Sequence, residues 1–473
     1  MSLLAEPPAA AADPATQGRA LLRRGQPAEA LPLLRDAAAR PPADAPTDAA
    51  VRFDLALALH LTGALAEAMA QYRAVLALAP EEAGACNGLG AILLRLGDLP
   101  AAEVWLRRAL AIRPAMPEAL NNLARIACWE LRLGEAIRLL DAALAARPDF
   151  PAARWTRAMA RLQAGDMPGG WDDFEARWGL PDIGPVGTIP RPLWRGEALA
   201  GRSLLLQPEQ GLGDTIQFAR YAVLLAGRGE KVVLGVQPEL KRLMAGLAQP
   251  AAAAHPVRVV ACGEVLPPVD CHLPLLSLPG VLRQGLGDIP GATPYLAAAP
   301  EAVARWRRRL AAPDGMPKVG LVWAGNPKHI NDANRSLPLA VLAPLAAVPG
   351  LRWFSLQLGA RRAELADPAS SSPWAAAGVT DLAEELTDLA ETAAALTALD
   401  LLIAVDTAPV HLAGALGRPA WLLLPAVPDW RWLLGRSDSP WYPSLRLFRQ
   451  PRPGAWDQVA AEVAVALRRF APA

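Results

Sequence analysis

Three segments, LAEAMAQYRAVLALAP (Leu65–Pro80), LPAAEVWLRRALAIRP (Leu99–Pro114) and LGEAIRLLDAALAARP (Leu133–Pro148), follow one another at a step of 34 residues. Pro80, Pro114 and Pro148 close them; Ala68, Ala102 and Ala136 recur in register, as do Tyr72, Leu106 and Leu140. Apolar residues return every three or four positions, the spacing of a helix that buries one face. A period of this length marks one helix pair stacked repeatedly on itself, because a single pair cannot bury its apolar face alone. Outward from this core, Gly63 and Gly97 mark turns, and the small residues Gly90 and Ala124 stand where paired helices approach. An earlier copy reads Gly25, Ala30, Leu34, Ala37, Pro42. A degenerate last copy runs from Trp155 to Trp178, with Gly165, Gly170 and Phe174 in register.

This pattern resembles the tetratricopeptide repeat. The resemblance implies an α-solenoid over residues 1–180 whose concave face holds a peptide or protein. Asn87 and, one 34-residue step later, Asn121, together with Asn122, are candidate contacts to such a chain or else solvated helix residues.

The 473 residues are 53% hydrophobic and 20% charged, which excludes a wholly disordered chain. Lys plus Arg number 47 against 46 Asp plus Glu. So even a balance gives no electrostatic case for nucleic acid or a membrane surface as the main partner. The four cysteines, Cys86, Cys128, Cys262 and Cys271, have no metal or redox spacing, and their sparseness fits a reducing compartment. Met1–Pro14 lacks the basic and apolar regions of a signal peptide, and no stretch is long and apolar enough to span a bilayer. The expectation is a soluble, cytoplasmic protein.

After Pro181 the pattern changes. Residues 181–202 are rich in Gly and Pro without a period and read as a linker. SLLLQ (Ser203–Gln207), KVVLGV (Lys231–Val236) and VRVVAC (Val257–Cys262) then alternate with helical segments. A second series opens at KVGLVWAG (Lys318–Gly325) and continues through LRWFSLQ (Leu351–Gln357), DLLIAV (Asp400–Val405) and PAWLLL (Pro419–Leu424), before a final amphipathic helix. Such alternation predicts parallel sheets with helices on their faces, in two halves, 203–310 and 311–473. Ligands bind such sheets outside the carboxyl ends of the strands.

Two loops follow strands and open helices. In Glu209-Gln210-Gly211-Leu212-Gly213-Asp214-Thr215 the glycines admit a ligand close to the main chain. Asp214 and Thr215 open a helix whose free N–H groups favour anions, or Asp214 merely caps that helix. In Asp406-Thr407-Ala408-Pro409-Val410-His411, Pro409 suits a first helical turn, whose free amides favour phosphate. His411 could assist there or hydrogen-bond within the loop. The Trp-rich run Asp429-Trp430-Arg431-Trp432 and Trp441-Tyr442 could stack on a sugar or base, though such tryptophans are more often core between helices.

Together GLGD, the loop from Asn326 to Pro338 and DTAPVHLAGALGRP resemble the heptosyltransferase-like glycosyltransferases of family 9, over roughly Arg202 to the end of the chain. Repeats joined to such a module are also similar in layout to protein O-GlcNAc transferases. The resemblance implies a GT-B fold, two Rossmann-like domains with a cleft between them. It implies sugar transfer from a nucleotide diphosphate donor without metal or other cofactor, and no Asp-x-Asp occurs. By position it makes Asp214 the catalytic base, with Gly211 and Gly213 lining the acceptor side. Donor contacts fall to Asn326, Lys328, Arg335, Gln357, Asp406, Thr407, Ala408 and His411, with Arg335 and Lys328 competing as the cation for the leaving group. Ala408-Pro409 departs from the family's Asp-Thr-Gly. The expected acceptor is a protein held by the repeats; a lipopolysaccharide or other glycan acceptor, or a non-catalytic scaffold, are the alternatives.

Overall fold

The computed structural model describes residues 13–42, 44–181, 189–247, 255–311, 315–329 and 331–471. Nearly all of Met1–Pro14, residues 182–188 of the expected linker, and Ile330 lie outside them. By internal contacts the chain divides into two units, Met1–Ala160 and Arg161–Ala473.

The first unit is a run of helix pairs: α1 (Pro14–Arg23) with α2 (Pro27–Ala39), α3 (Ala45–Leu61) with α4 (Leu65–Leu78), α5 (Ala83–Arg95) with α6 (Leu99–Ile112), and α7 (Pro117–Trp129) with α8 (Leu133–Ala146). α9 (Pro151–Ala164) begins the next pair. Ala68, Ala102 and Ala136 have no exposed surface, so the recurring alanine is the point of closest helix contact. At Gly90 a β-carbon would come 2.6 Å from Leu106 Cγ, which is why a small residue sits there.

Each pair turns through a residue with positive φ: Gly25, Gly63, Gly97, Leu131 and Gly165. Next in sequence, Ala64, Asp98, Arg132 and Asp166 donate their N–H to a carbonyl five residues back, which satisfies a carbonyl freed at the helix end. Leu131, at φ 58°, occupies the register position that is glycine in the neighbouring repeats. A β-carbon in this conformation costs roughly 1–2 kcal/mol.

The second unit takes in α10 (Met167–Phe174) and two sheets in which every strand pair is parallel. The first sheet contains β1 (Ser203–Gln207), β2 (Lys231–Val236), β3 (Arg258–Ala261) and β4 (Cys271–Pro274), in the order β3-β2-β1-β4. The second contains β5 (Lys318–Val322), β6 (Arg352–Ser355), β7 (Thr380–Asp381), β8 (Leu401–Val405), β9 (Ala420–Leu424) and β10 (Leu445–Arg449), in the order β10-β9-β8-β5-β6-β7. Counted from β5, that is the doubly wound order 3-2-1-4-5-6, whose direction reverses between β5 and β8. In the first sheet the reversal lies between β1 and β4. β8 is buried at all five residues, as a central parallel strand covered on both faces must be.

Four helices of this unit matter most for the site and the core: α11 (Leu212–Gly227), the short α12 (Asp332–Arg335), α13 (Ala408–Ala415) and the terminal α14 (Trp456–Phe470). α14 packs Val459, Val463 and Leu467 into a core with Trp323, Trp353 and Ile403.

Part of the expected linker is not a free connection. Trp194 is buried, and its backbone N–H donates to the His272 carbonyl at 2.9 Å, beside a parallel bridge between Leu193 and His272. Pro192–Trp194 thus extend the first sheet beyond β4. Likewise α10 and the turn Glu175–Gly179, read from the sequence as a last repeat, are built into the second unit. Arg177, with no exposed surface, donates from Nε and Nη2 to the two carboxylate oxygens of Glu209 at 2.9 and 3.0 Å, and from Nη2 to Ser277 Oγ at 2.6 Å. Burial pushes the Glu209 carboxyl above the usual range, and Arg177 opposes that shift.

Leu131→Gly should raise the stability of the repeat unit by about 0.5–1 kcal/mol in chemical denaturation, strain relief exceeding the added freedom of the unfolded chain. Arg177→Met should destabilise the second unit by about 3–5 kcal/mol by leaving Glu209 buried without its cation, and Glu209→Leu in the same chain should recover much of that loss.

Candidate functional site

The site is built from strand exits. β1 runs into Glu209–Gly211 and α11; β8 runs into Asp406-Thr407 and α13. Gly211 caps α11 in extended geometry, and its N–H donates to Asp214 Oδ2 at 2.8 Å. α11 and α13 pack against each other. Their first turns meet at Gly213, where a β-carbon would lie 3.0 Å from His411 Cδ2 and 3.7 Å from Ala408 Cα. The two helix N-termini, each carrying partial positive charge, therefore open onto one region.

Asp214 both caps α11 and pairs with Arg431, whose Nη2 donates to Asp214 Oδ1. Arg431 is buried and also donates from Nε to Gln217 Oε1 at 2.6 Å and from Nη1 to Asp429 Oδ1 at 3.0 Å. Its guanidinium lies 4.5 Å from the Trp430 ring centroid. Burial disfavours that charge, but Asp429 and Asp214 outweigh burial and raise its pKa further. Gln217 and Arg431 were not among the residues singled out in the sequence.

GLGD occurs a second time, as Gly285-Leu286-Gly287-Asp288, and makes the same local box: Gly285 N–H donates to Asp288 Oδ2 at 3.0 Å. Asp288 is exposed and, among the described residues, pairs with no cation of the kind seen at Asp214. The tetrapeptide thus encodes the cap, while the surroundings of Asp214 are supplied by the other half of the unit.

The second sheet contributes the cations. Arg335, on α12, donates from Nη1 to the Asp406 carbonyl at 2.8 Å and from Nε to Asp332 Oδ1 at 3.4 Å. Ser336 Oγ accepts from Gly325 N–H at 2.9 Å and donates to Asp332 Oδ1 at 3.0 Å. Arg335 therefore bridges the exits of β5 and β8, the reversal point where doubly wound sheets take ligands. Asp406 faces His411, with Oδ1 3.7 Å from Nε2. Burial pushes the Asp406 carboxyl up, but His411 and Arg335 more than offset this and hold it below the usual range. His411 Nδ1 lies 3.1 Å from Tyr442 Oη, whose proton burial makes hard to remove. With Tyr442 donating to Nδ1, the ring proton sits on Nε2, facing Asp406.

The remaining residues divide. Thr407 caps α13 and its hydroxyl donates to the Val405 carbonyl at 3.1 Å, leaving the hydroxyl oxygen's lone pairs and the Ala408 amide at the crevice. Asn326 and Lys328 are exposed; Asn326 Oδ1 accepts from Lys328 N–H at 3.0 Å in a side-chain-closed turn. Gln357 is 2% exposed and spends its amide on backbone: Oε1 accepts from Trp323 and Ala324 N–H, and Nε2 donates to the Ala324 and Leu358 carbonyls. It holds the β5 and β6 exits together and offers nothing to a ligand. His329, within the Asn326–Pro338 loop, lies within electrostatic reach of Arg335, Asp406, Asp214 and Asp332. Among the described residues no group of three potential metal ligands comes together, and no helix is long and apolar enough to cross a membrane.

The tetratricopeptide repeat family model matches residues 16–83, 69–117 and 131–177, so the first unit carries these repeats. Protein FlbA of Caulobacter vibrioides is 30% identical over 335 residues, covering 67% of this chain and 55% of that protein. The chain spans about half the length of this curated relative. The match is longer than the repeat unit and therefore runs into the α/β unit. Among solved structures, a MamA fragment from Desulfovibrio magneticus RS-1 is 24% identical with a TM-score of 0.29, covering 34% of this chain and 92% of its own. A thermophilic tetratricopeptide repeat protein of Thermus thermophilus is 20% identical with a TM-score of 0.32, covering 36% and 90%.

Gly213→Val should cost about 1–3 kcal/mol by forcing α11 from His411 and Ala408, whereas Gly287→Val, where a β-carbon meets nothing within 4 Å, should change stability little in the same denaturation assay.

Proposed function

We propose that the second unit is a glycosyltransferase of the GT-B type, moving a sugar from a nucleotide-activated donor to an acceptor hydroxyl, with the repeats holding a protein or peptide acceptor. The observation that carries this reading is the meeting of α11 and α13 at Gly213. It brings Asp214, from the reversal point of one sheet, beside Asp406, His411 and Arg335, from the reversal point of the other. A donor phosphate in this crevice would meet the Ala408 amide and Arg335, which supply the charge stabilisation a departing phosphate needs without a metal. Asp214, on the facing helix, would take the proton from the attacking hydroxyl. On the repeat unit, Asn122 Nδ2 donates to Asn87 Oδ1 at 3.0 Å, and the buried Asn121 Oδ1 has no partner among the described residues. Asn87, half-buried where Asn121 and Asn122 are buried, is the candidate contact to an extended peptide backbone.

A second reading has its own support. Arg431 and Arg335 already hold protein partners, and Ala408-Pro409 leaves one fewer free amide at α13 than glycine residues would. A module that binds a nucleotide without turnover, on a repeat scaffold, fits that economy. Incubation of the purified chain with uridine, guanosine, adenosine and cytidine nucleotide sugars separates the two: release of nucleotide supports the enzyme, and binding without release supports the scaffold.

The duplicate motif supplies an internal control. Asn still accepts the cap hydrogen bond but cannot hold the transferred proton. Asp214→Asn should therefore lower turnover by about 10²–10⁴-fold, and Asp288→Asn should leave it unchanged, in the assay that detects nucleotide release.

A further inference from the structure

The loop between β5 and α12 carries a histidine with no part in the proton transfer or phosphate contacts assigned to Asp214 and Arg335. His329 Nδ1 accepts the N–H of Asn331 at 3.1 Å, and its backbone is pinned at both ends: His329 N–H donates to the Asn326 carbonyl and Asp332 N–H to the His329 carbonyl, each at 2.9 Å. A ring nitrogen that accepts carries no proton, so the neutral ring bears its proton on Nε2. The residue is exposed but partly desolvated, on the same loop as Asn326 and Lys328, and the charges it feels are those of the crevice: Arg335 and Asp332 on α12, Asp406 at the β8 exit, Asp214 on α11.

We propose that His329 binds the anionic phosphate of the donor as a neutral Nε2–H donor beside Arg335, and is not the base that deprotonates the acceptor. This rests on the glycosyltransferase reading. Two features exclude the alternative roles. A base would have to take its proton on Nδ1, which the Asn331 amide occupies. An imidazolium would have to surrender that same hydrogen bond next to the Arg335 guanidinium. Partial burial and Arg335 both hold the ring's pKa below its ordinary value, in line with a neutral donor at physiological pH. The division of labour is then complete. Arg335 supplies fixed charge from the β5–β8 reversal, His329 supplies a neutral hydrogen-bond donor from the loop beside it, and Asp214 remains for the proton.

Calorimetric titration of the full chain with UDP, GDP, ADP and CMP at pH 6.5, 7.5 and 8.5 tests this, on the native chain, His329→Gln and His329→Ala, with thermal unfolding as the check on fold. Gln keeps an N–H donor but cannot ionise. The expected result is a loss of about tenfold or more in affinity for Ala, a loss under about threefold for Gln, and parallel pH dependences for the native and Gln chains. Native affinity in the Ala chain would overturn the assignment. So would a Gln chain as weak as Ala with a native advantage that grows toward pH 6.5, which is the signature of an imidazolium. If the native chain binds none of the four nucleotides, the glycosyltransferase reading itself fails and takes this inference with it.

Discussion

Two buried arginines, exchanged between the halves of the second unit, set the geometry on which the rest depends. Arg431, from the loop after β9, reaches Asp214 and Gln217 on α11. Arg220, from α11, reaches back to the Trp441 carbonyl at 2.7 Å and lies 4.7 Å from the centroid of the Tyr442 ring. A guanidinium cannot be buried without partners, and removing one partner strands a charge at a cost of about 3–5 kcal/mol. Opening the seam would cost Arg431 its bonds to Asp214 and Gln217 and Arg220 its bond to the Trp441 carbonyl. The first turns of α11 and α13 are therefore held together beside the crevice they border.

That rigidity has a second support. The remainder of the last repeat, from Arg161 onward, grips both halves: Arg177 clamps Glu209 at the β1 exit, Gln163 donates to the Pro428 carbonyl at 2.8 Å, and the Trp171 ring meets Trp430 edge-on at 5.2 Å. Segments that look like repeat in sequence thus brace the two loops that carry Asp214 and Arg431. By internal contacts the division between the units falls before this segment, after Ala160.

The repeats were legible because a 34-residue period needs only local information, and even the left-handed turn at Leu131 is visible as the gap in a series of glycines. β1, β2, β3, β5, β6, β8 and β9 were legible as buried apolar runs; β4, β10 and the two-residue β7 were not, and Thr380–Asp381 carries no apolar signal and joins through its pairing with β6. The segment between β2 and β3, one of the expected helical segments, forms a short turn and the four-residue helix Lys241–Met244. At the site, Asp214 and Arg335 could be found by pattern, but their partners could not. Arg431 lies 217 residues from Asp214, and nothing in the composition of either loop announces the pairing. Gln357 shows the converse: a polar residue at a strand end fits a ligand contact by position, yet the backbone of two loops consumes all its hydrogen-bonding capacity. The repeated GLGD makes the limit plain, since identical tetrapeptides form identical caps in unlike surroundings.

The most direct measurement is a crystal structure of the full chain grown with a saturating nucleotide, chosen as the tightest binder among nucleoside mono- and diphosphates. The account predicts phosphate density between the β5 and β8 exits, within hydrogen-bond distance of Arg335 and the Ala408 amide, with the open side of the phosphate toward Asp214. Nucleotide bound elsewhere on the chain, with that crevice empty, would contradict it.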